Sequence, residues 1–161
     1  MVRAMSETQA GPLSLTLPSL EATESLARRI AALLRRGDAV LLSGPLGAGK
    51  SALARAILRT LAEDPALEVP SPSFTLIQTY ETPRGLVHHY DLWRIEPGPD
   101  LRELGLDEAF EDITLIEWPD RLGDQAPPTA LAITLRPQAD GARNATLAGW
   151  PDRLSQLMDQ T

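Results

Sequence analysis

Cysteine is absent from these 161 residues, which excludes disulfides and thiolate metal sites. Histidine occurs twice, too seldom for a structural zinc centre. No apolar run approaches the roughly 18 residues that a transmembrane helix requires, so no membrane partner is expected. Positive charge is scarce: the net charge is −7, and a chain that grips nucleic acid directly needs a clustered basic surface. Work on RNA inside a complex stays open. Lysine is scarcer still. Of 15 basic residues, fourteen are Arg and one, Lys50, is Lys. A site that accepts a compact ammonium and not a broad guanidinium fork accounts for that exception, as does chance. Met1–Gly11 holds one Arg and no apolar stretch, so it reads as a short disordered tail and not as a secretory leader. Residues 12–161 suit a single domain in length and composition, and the sum points to the cytoplasm.

Along the chain, Leu13–Leu17 alternates apolar and hydroxyl residues as a strand does. Ser19 is a candidate N-cap for a helix over Glu21–Arg36, with Gly37 as its stop. Ala39–Ser43 is a short apolar run, followed by a glycine-rich loop and a helix over Ser51–Ala62 with Leu53, Ile57, Leu58 and Leu61 on one face. After a loop over Glu63–Pro72, Phe74–Tyr80 and Leu86–Ile95 read as two strands of a hairpin through Thr82-Pro83-Arg84-Gly85. Leu101–Phe110 reads as a helix, Asp112–Glu117 as a strand, and Thr129–Arg136 with Arg143–Ala148 as an antiparallel pair. A closing helix is expected over Trp150–Gln160. This order predicts an α/β fold with a mixed parallel and antiparallel sheet flanked by helices.

The strongest motif is Gly44-Pro45-Leu46-Gly47-Ala48-Gly49-Lys50-Ser51, which fits G-x-x-x-x-G-K-[ST] and lies between an apolar strand and an amphipathic helix. Its glycines let backbone N–H groups turn inward around phosphates, and the following helix points its positive end there. Lys50 is expected to reach the β- and γ-phosphates of ATP, and the Ser51 hydroxyl to ligate magnesium. Such a site needs a further acid at the end of a buried strand. Ile113-Thr114-Leu115-Ile116-Glu117 supplies Glu117 where Asp is usual, although a Glu at a strand end can also simply meet solvent. Trp118 follows, as a shield of the phosphate site or as a core residue.

In His88-His89-Tyr90-Asp91-Leu92-Trp93-Arg94, strand alternation puts His89, Asp91 and Trp93 on one face. Asp91 is a candidate for orienting an attacking water or a magnesium-bound water, or is half of a surface ion pair. The two histidines read as packing or surface residues. Ser71-Pro72-Ser73-Phe74-Thr75 is either a γ-phosphate-sensing segment or an ordinary Ser/Pro turn. Glu96–Asp112 carries seven acids and one base, as a solvated face or a docking surface for a basic partner.

Taken together, these segments resemble the TsaE family, also known as YjeE: small P-loop ATPases of threonylcarbamoyladenosine formation in tRNA. The resemblance spans Leu17 to Arg136. It rests on Gly44–Ser51, Ser71-Pro72-Ser73-Phe74-Thr75-Leu76, His89-Tyr90-Asp91-Leu92-Trp93-Arg94 and Leu115-Ile116-Glu117-Trp118-Pro119, in family order. Ser51 stands where many members have Thr, and Trp93 where they have Tyr. The resemblance implies phosphate binding by Gly44, Gly47, Ala48, Gly49 and Lys50, and magnesium ligation by Ser51 and Glu117. It implies a part in hydrolysis for Asp91 beside Lys50 and Glu117, a site role for Trp118, and a place near the adenine for Thr23. The implied partners are the proteins TsaD and TsaB, with tRNA met only indirectly. The implied activity is weak ATP hydrolysis stimulated by those partners.

Two other readings of the residues remain. A small-molecule kinase would share the P-loop but needs an Arg-bearing lid, and Glu96–Asp112 offers one Arg among seven acids. A nucleotide-binding regulatory module would bind without turnover. The absence of an N-K-x-D sequence favours ATP over GTP.

Overall fold

Which strands lie at the centre follows from their composition. The segment Ile113–Glu117 is buried at all five positions and Ala39–Ser43 at four of its five, so neither has a face to spare for water. In the computed structural model, which describes residues 11–96 and 99–158, these two runs are the inner parallel strands of one seven-stranded sheet. The expected tail lies outside the described residues except for Gly11.

The strands are β1 (Leu13–Leu17), β2 (Ala39–Ser43), β3 (Ile77–Thr82), β4 (Gly85–Asp91), β5 (Ile113–Glu117), β6 (Leu131–Pro137) and β7 (Arg143–Ala148). The helices are α1 (Leu20–Leu33), α2 (Lys50–Ala62) and the short α3 (Leu106–Ala109). The sheet order is β1-β7-β6-β2-β5-β4-β3. Strands β6, β2, β5 and β4 are mutually parallel, and an antiparallel strand or pair closes each side. The mixed α/β sheet expected from the sequence is thus the observed one.

Strand alternation sorts the core into two layers. Val40, Leu42, Ile113 and Leu115 face one side, where Leu26 and Ile30 of α1 and Leu53, Ile57 and Leu61 of α2 cover them. Ala39, Leu41, Tyr90 and Ile116 face the other, covered by Leu101, Leu104, Leu106 and Leu122. Each fully buried Leu or Ile contributes about 1.5–3 kcal/mol relative to exposure, so both layers hold the sheet. Tyr90 ties the second layer down by donating to the Leu104 carbonyl at 2.8 Å.

Several boundaries differ from the sequence reading, each for a local or long-range reason. Ser19 caps α1 as expected, accepting from the Ala22 N–H at 3.2 Å. The helix nevertheless stops at Leu33, not Arg36. The guanidinium of Arg84 donates to the Ala31 and Leu34 carbonyls and that of Arg153 to the Leu33 carbonyl, so distant side chains satisfy the last turn. The hairpin turns at Pro83-Arg84 as expected, but β3 starts at Ile77 and not Phe74. There the Leu76 N–H donates to the Pro72 carbonyl at 2.7 Å and folds residues 72–76 into a turn. Strand β4 ends at Asp91 and not Ile95, because the Asp91 carboxylate accepts from the Trp93 N–H at 3.0 Å and bends the chain. The helix expected over Leu101–Phe110 is instead a 3₁₀ turn (Pro99–Leu104) and α3, divided at Gly105 with φ +67°. The expected closing helix is a 3₁₀ turn, Leu154–Leu157. Its three-residue period places Leu154 and Leu157 together in the core, and the last residues expected in that helix lie outside the described ones.

Candidate functional site

The carboxyl ends of β2, β4 and β5 meet at one edge of the sheet, the edge where ligands of open parallel sheets bind. Between β2 and α2, residues 44–49 form the loop. Gly44, at φ +144°, has no room for a side chain, because a Cβ there would lie 2.4 Å from the Leu135 carbonyl oxygen. Gly49, at φ +107°, packs against the Arg143 side chain, whose Cδ and Nε would lie 3.1 Å from a Cβ. Arg143 comes from β7 and also donates to the Gly47 carbonyl at 3.3 Å, so the late strand pair braces the loop from outside. The sequence placed Arg143 in a late strand and gave it no part in the site. A loop–strand contact 96 residues apart leaves no local signal.

Around the loop lies a cavity of about 390 Å³, lined by Gly47, Gly49, Lys50, Ser51, Asp91 and Glu117 among others. Ser71 and Ser73 line it as well, and so do Leu46, Trp93 and Trp118. The structure therefore gathers three of the sequence-predicted segments onto the glycine-rich loop. The Ser51 Oγ donates to Glu117 Oε1 at 3.0 Å. Both are hard oxygen donors, a pair suited to a divalent cation that also takes phosphate oxygens. Glu117 is 2% exposed, so it does not meet solvent at the strand end. Asp91 is its register partner across β4 and β5, and is also buried. The Asp91 carboxylate accepts from the Trp93 N–H and stands 3.5 Å from Ser71 Oγ. No ion pair joins Asp91 to Arg94 among the described residues. The Arg94 guanidinium lies over the Phe74 ring, 4.4 Å from its centroid.

Lys50 is 5% exposed and donates to the Gly44 and Pro45 carbonyls at 2.6 and 3.1 Å. Burial lowers its pKa, while the charges of Glu117 and Asp91 oppose that shift. The ammonium also sits 4.1 Å from the centre of the Trp118 ring, and Trp118 packs against Trp93 with centroids 4.4 Å apart and the rings tilted by 45°. Trp118 therefore both walls the site and packs against the second core layer. Its backbone is left-handed, at φ +62°, a conformation that costs a non-glycine residue roughly 1–3 kcal/mol. That turn ends β5 and swings the ring toward Lys50.

Thr23 does not line this cavity. It lies on the buried face of α1, with its hydroxyl 3.5 Å from the Ser19 carbonyl. His89, read from sequence as a packing or surface residue, is 1% exposed and places Nε2 at 2.8 Å from Glu117 Oε2. The available signal was its position two residues before Asp91 on the same strand face. His88 instead bridges Thr79 and Asp112. A larger cavity, of about 500 Å³, lies between α1 and α2 and is lined by Leu20, Arg28, Arg55 and Arg59 among others. Neither Lys50 nor the buried Asp91 and Glu117 line it.

Comparisons with known proteins point to one family. The family model described as threonylcarbamoyl adenosine biosynthesis protein TsaE matches residues 17–145. The Rickettsia bellii protein named tRNA threonylcarbamoyladenosine biosynthesis protein TsaE is 36% identical over 128 residues, covering 79% of this chain and 88% of that one. The protein of the same name from Bacillus subtilis is 31% identical over 142 residues, 87% of each chain. The crystal structure of YdiB from that bacterium superposes with a TM-score of 0.73 at 27% identity, covering 93% of both chains. With a family match over most of its length and the glycine-rich loop, Asp91 and Glu117 gathered at one cavity, the chain belongs to the TsaE family.

Proposed function

We propose that this chain is a magnesium-dependent ATPase that acts in tRNA threonylcarbamoyladenosine biosynthesis, in the cytoplasm, with the TsaB and TsaD proteins as partners. The observation that carries the reading is the 3.0 Å contact between Ser51 and Glu117 at the mouth of the P-loop, with Asp91 beside it. Family membership supplies the biosynthetic context.

In this reading the N–H groups of Gly44, Gly47, Ala48 and Gly49 cradle the phosphates at the start of α2. Lys50 leaves the Gly44 and Pro45 carbonyls to meet the β- and γ-phosphate oxygens. Ser51 and Glu117 would hold magnesium, which would supply positive charge to offset that developing on the phosphates. Asp91 accepts a hydrogen bond from the attacking water and orients it toward the γ-phosphate. Trp118 and Trp93 keep bulk water from the Lys50 side of the site. Adenine binds outside the cavity's phosphate end, toward the start of α1 and Thr23.

The partner reading draws on the rim of the cavity. Leu46 and Trp93 line the cavity and stay 70% and 41% exposed, and Phe74, next in the chain to the lining Ser73, is 77% exposed. Such a cluster is suited to a protein surface that closes over the nucleotide. With a net charge of −7, the chain is suited to meeting tRNA through those partners and not directly. The kinase alternative is disfavoured. Leu101, Leu104 and Leu106 anchor the acidic segment in the second core layer, and none of its described residues lines the cavity where a lid would close.

The test is ATP hydrolysis by the purified chain with magnesium, alone and with the cognate TsaB–TsaD pair, beside Lys50→Ala. Stimulation by the pair that is lost in the variant supports the proposal. Phosphorylation of a small acceptor in place of hydrolysis would favour the kinase.

A further inference from the structure

Glu117 is held from two sides. Ser51 Oγ donates to Oε1, and His89 Nε2 lies 2.8 Å from Oε2. A carboxylate only accepts, so Nε2 carries the proton and donates. The register explains the reach. His89 and Asp91 occupy alternate positions of β4 facing the same side, and Asp91 is opposite Glu117 on β5, so the imidazole approaches the carboxylate diagonally from one step down the sheet.

The imidazole has no other tie. Its Nδ1 is buried with no hydrogen-bond partner among the described residues. Val87, two residues earlier on the same face, is a fully buried apolar residue. An apolar side chain at 89 would therefore fit the layer without the cost of burying a half-satisfied ring. What the fold gains from histidine here is the bond to Glu117.

We propose that His89 is a positioning residue for the metal-binding carboxylate. It fixes the rotation of the Glu117 carboxylate and keeps Oε1 turned toward Ser51. The inference rests on the reading of Ser51 and Glu117 as the magnesium residues. Donors behind metal-binding groups typically change metal affinity about 10- to 100-fold when removed. When Ser51 turns its oxygen to the metal, His89 is the remaining donor that holds Glu117 in place.

The experiment measures binding, not turnover. Mn²⁺ affinity of the ADP-bound protein is read by electron paramagnetic resonance, and ADP affinity is measured in parallel with magnesium and in EDTA. The variants are His89→Ala, His89→Gln and Glu117→Gln. His89→Ala should weaken Mn²⁺ binding about 10- to 100-fold and leave ADP affinity in EDTA at the parental value. His89→Gln, whose amide N–H reaches the same oxygen, should recover part of the loss and keeps the test open if the Ala variant does not fold. Parental Mn²⁺ affinity in both His89 variants, with Glu117→Gln weakened, overturns this inference alone. An equal loss of ADP affinity with and without metal also overturns it, since His89 would then serve the fold. Unchanged Mn²⁺ affinity in Glu117→Gln overturns the magnesium reading itself, and this inference with it.

Discussion

Asp91 and Glu117 face each other across the parallel ladder of β4 and β5, so two neighbouring strands end by delivering two buried carboxylates to the same edge. Their partners differ: Glu117 takes the Ser51 hydroxyl, and Asp91 takes the Trp93 N–H. The roles should therefore separate on mutation. Asp91→Asn is expected to lower single-turnover hydrolysis by about 10²–10⁴-fold with nucleotide affinity nearly kept. Glu117→Gln should lower affinity in magnesium and not in EDTA. The same metal-dependent affinity loss in both would instead assign both carboxylates to the metal.

Lys50 carries a charge that the fold buries at a cost. Its folded pKa is lowered by desolvation, so the folded chain binds fewer protons than the unfolded one below the usual lysine value of 10.5. Stability should rise with pH in that window, as the unfolded state loses the proton that the folded state already disfavours. Lys50→Met should abolish nucleotide binding and remove this rise, so that its melting temperature depends less on pH between neutral and the lysine range than the parent's does. Thermal melts from neutral to alkaline pH measure this, and an unchanged pH dependence in the variant would contradict it.

The brace on the loop predicts a role for the late strands. Arg143→Ala removes the bond to the Gly47 carbonyl. A net hydrogen bond is worth about 0.5–1.5 kcal/mol, so nucleotide Kd should rise about two- to tenfold with the melting temperature little changed. Titration calorimetry with ADP and magnesium decides it. An unaltered Kd would mean that the loop holds its shape without β7.

Tyr90 gives the second layer its own pH signature. Burial raises its pKa to about 12, from the usual 10.0, while the hydroxyl donates to Leu104. The folded state keeps the proton longer, so this contribution is complete below pH 10.0 and is lost as pH rises through about 12. Tyr90→Phe should cost roughly 1–3 kcal/mol at neutral pH, because the Leu104 carbonyl is left unpaired. It should also flatten the alkaline fall in stability. Urea denaturation at several pH values tests both parts.

The exposed rim should matter to partners more than to the site alone. Phe74→Ser removes a 77% exposed ring that Arg94 stacks on. Stimulation by the TsaB–TsaD pair should fall more than hydrolysis by the chain alone. Equal falls in the two rates would place Phe74 inside the nucleotide site and not at its rim.

Some of this molecule is written locally. The glycine-rich motif Gly44–Ser51 is a contiguous string, so it can be read without a fold. The apolar runs at β2 and β5 mark themselves as central strands, since no polar face is left for water. Ser19 announces the start of α1 because its cap partner, Ala22, lies three residues away. A near neighbour is not always enough: the Trp93 N–H bond to Asp91 and the Leu76 N–H bond to Pro72 are local, yet they end β4 and delay β3 against the apolar pattern of the sequence.

The rest belongs to contacts between distant parts of the chain. The end of α1 depends on Arg84 and Arg153, which satisfy carbonyls 50 or more residues away. Arg143 reaches the P-loop only because β7 pairs with β6, which itself pairs with β2. His89 touches Glu117 only because β4 and β5 adopt one register; a shift of one residue would turn either side chain to the other layer. Residue order names the glycine-rich loop and the candidate acids. Strand pairing sets which acid meets Ser51, which histidine holds it, and which late arginine steadies the loop, because those distances exist only after the sheet has closed.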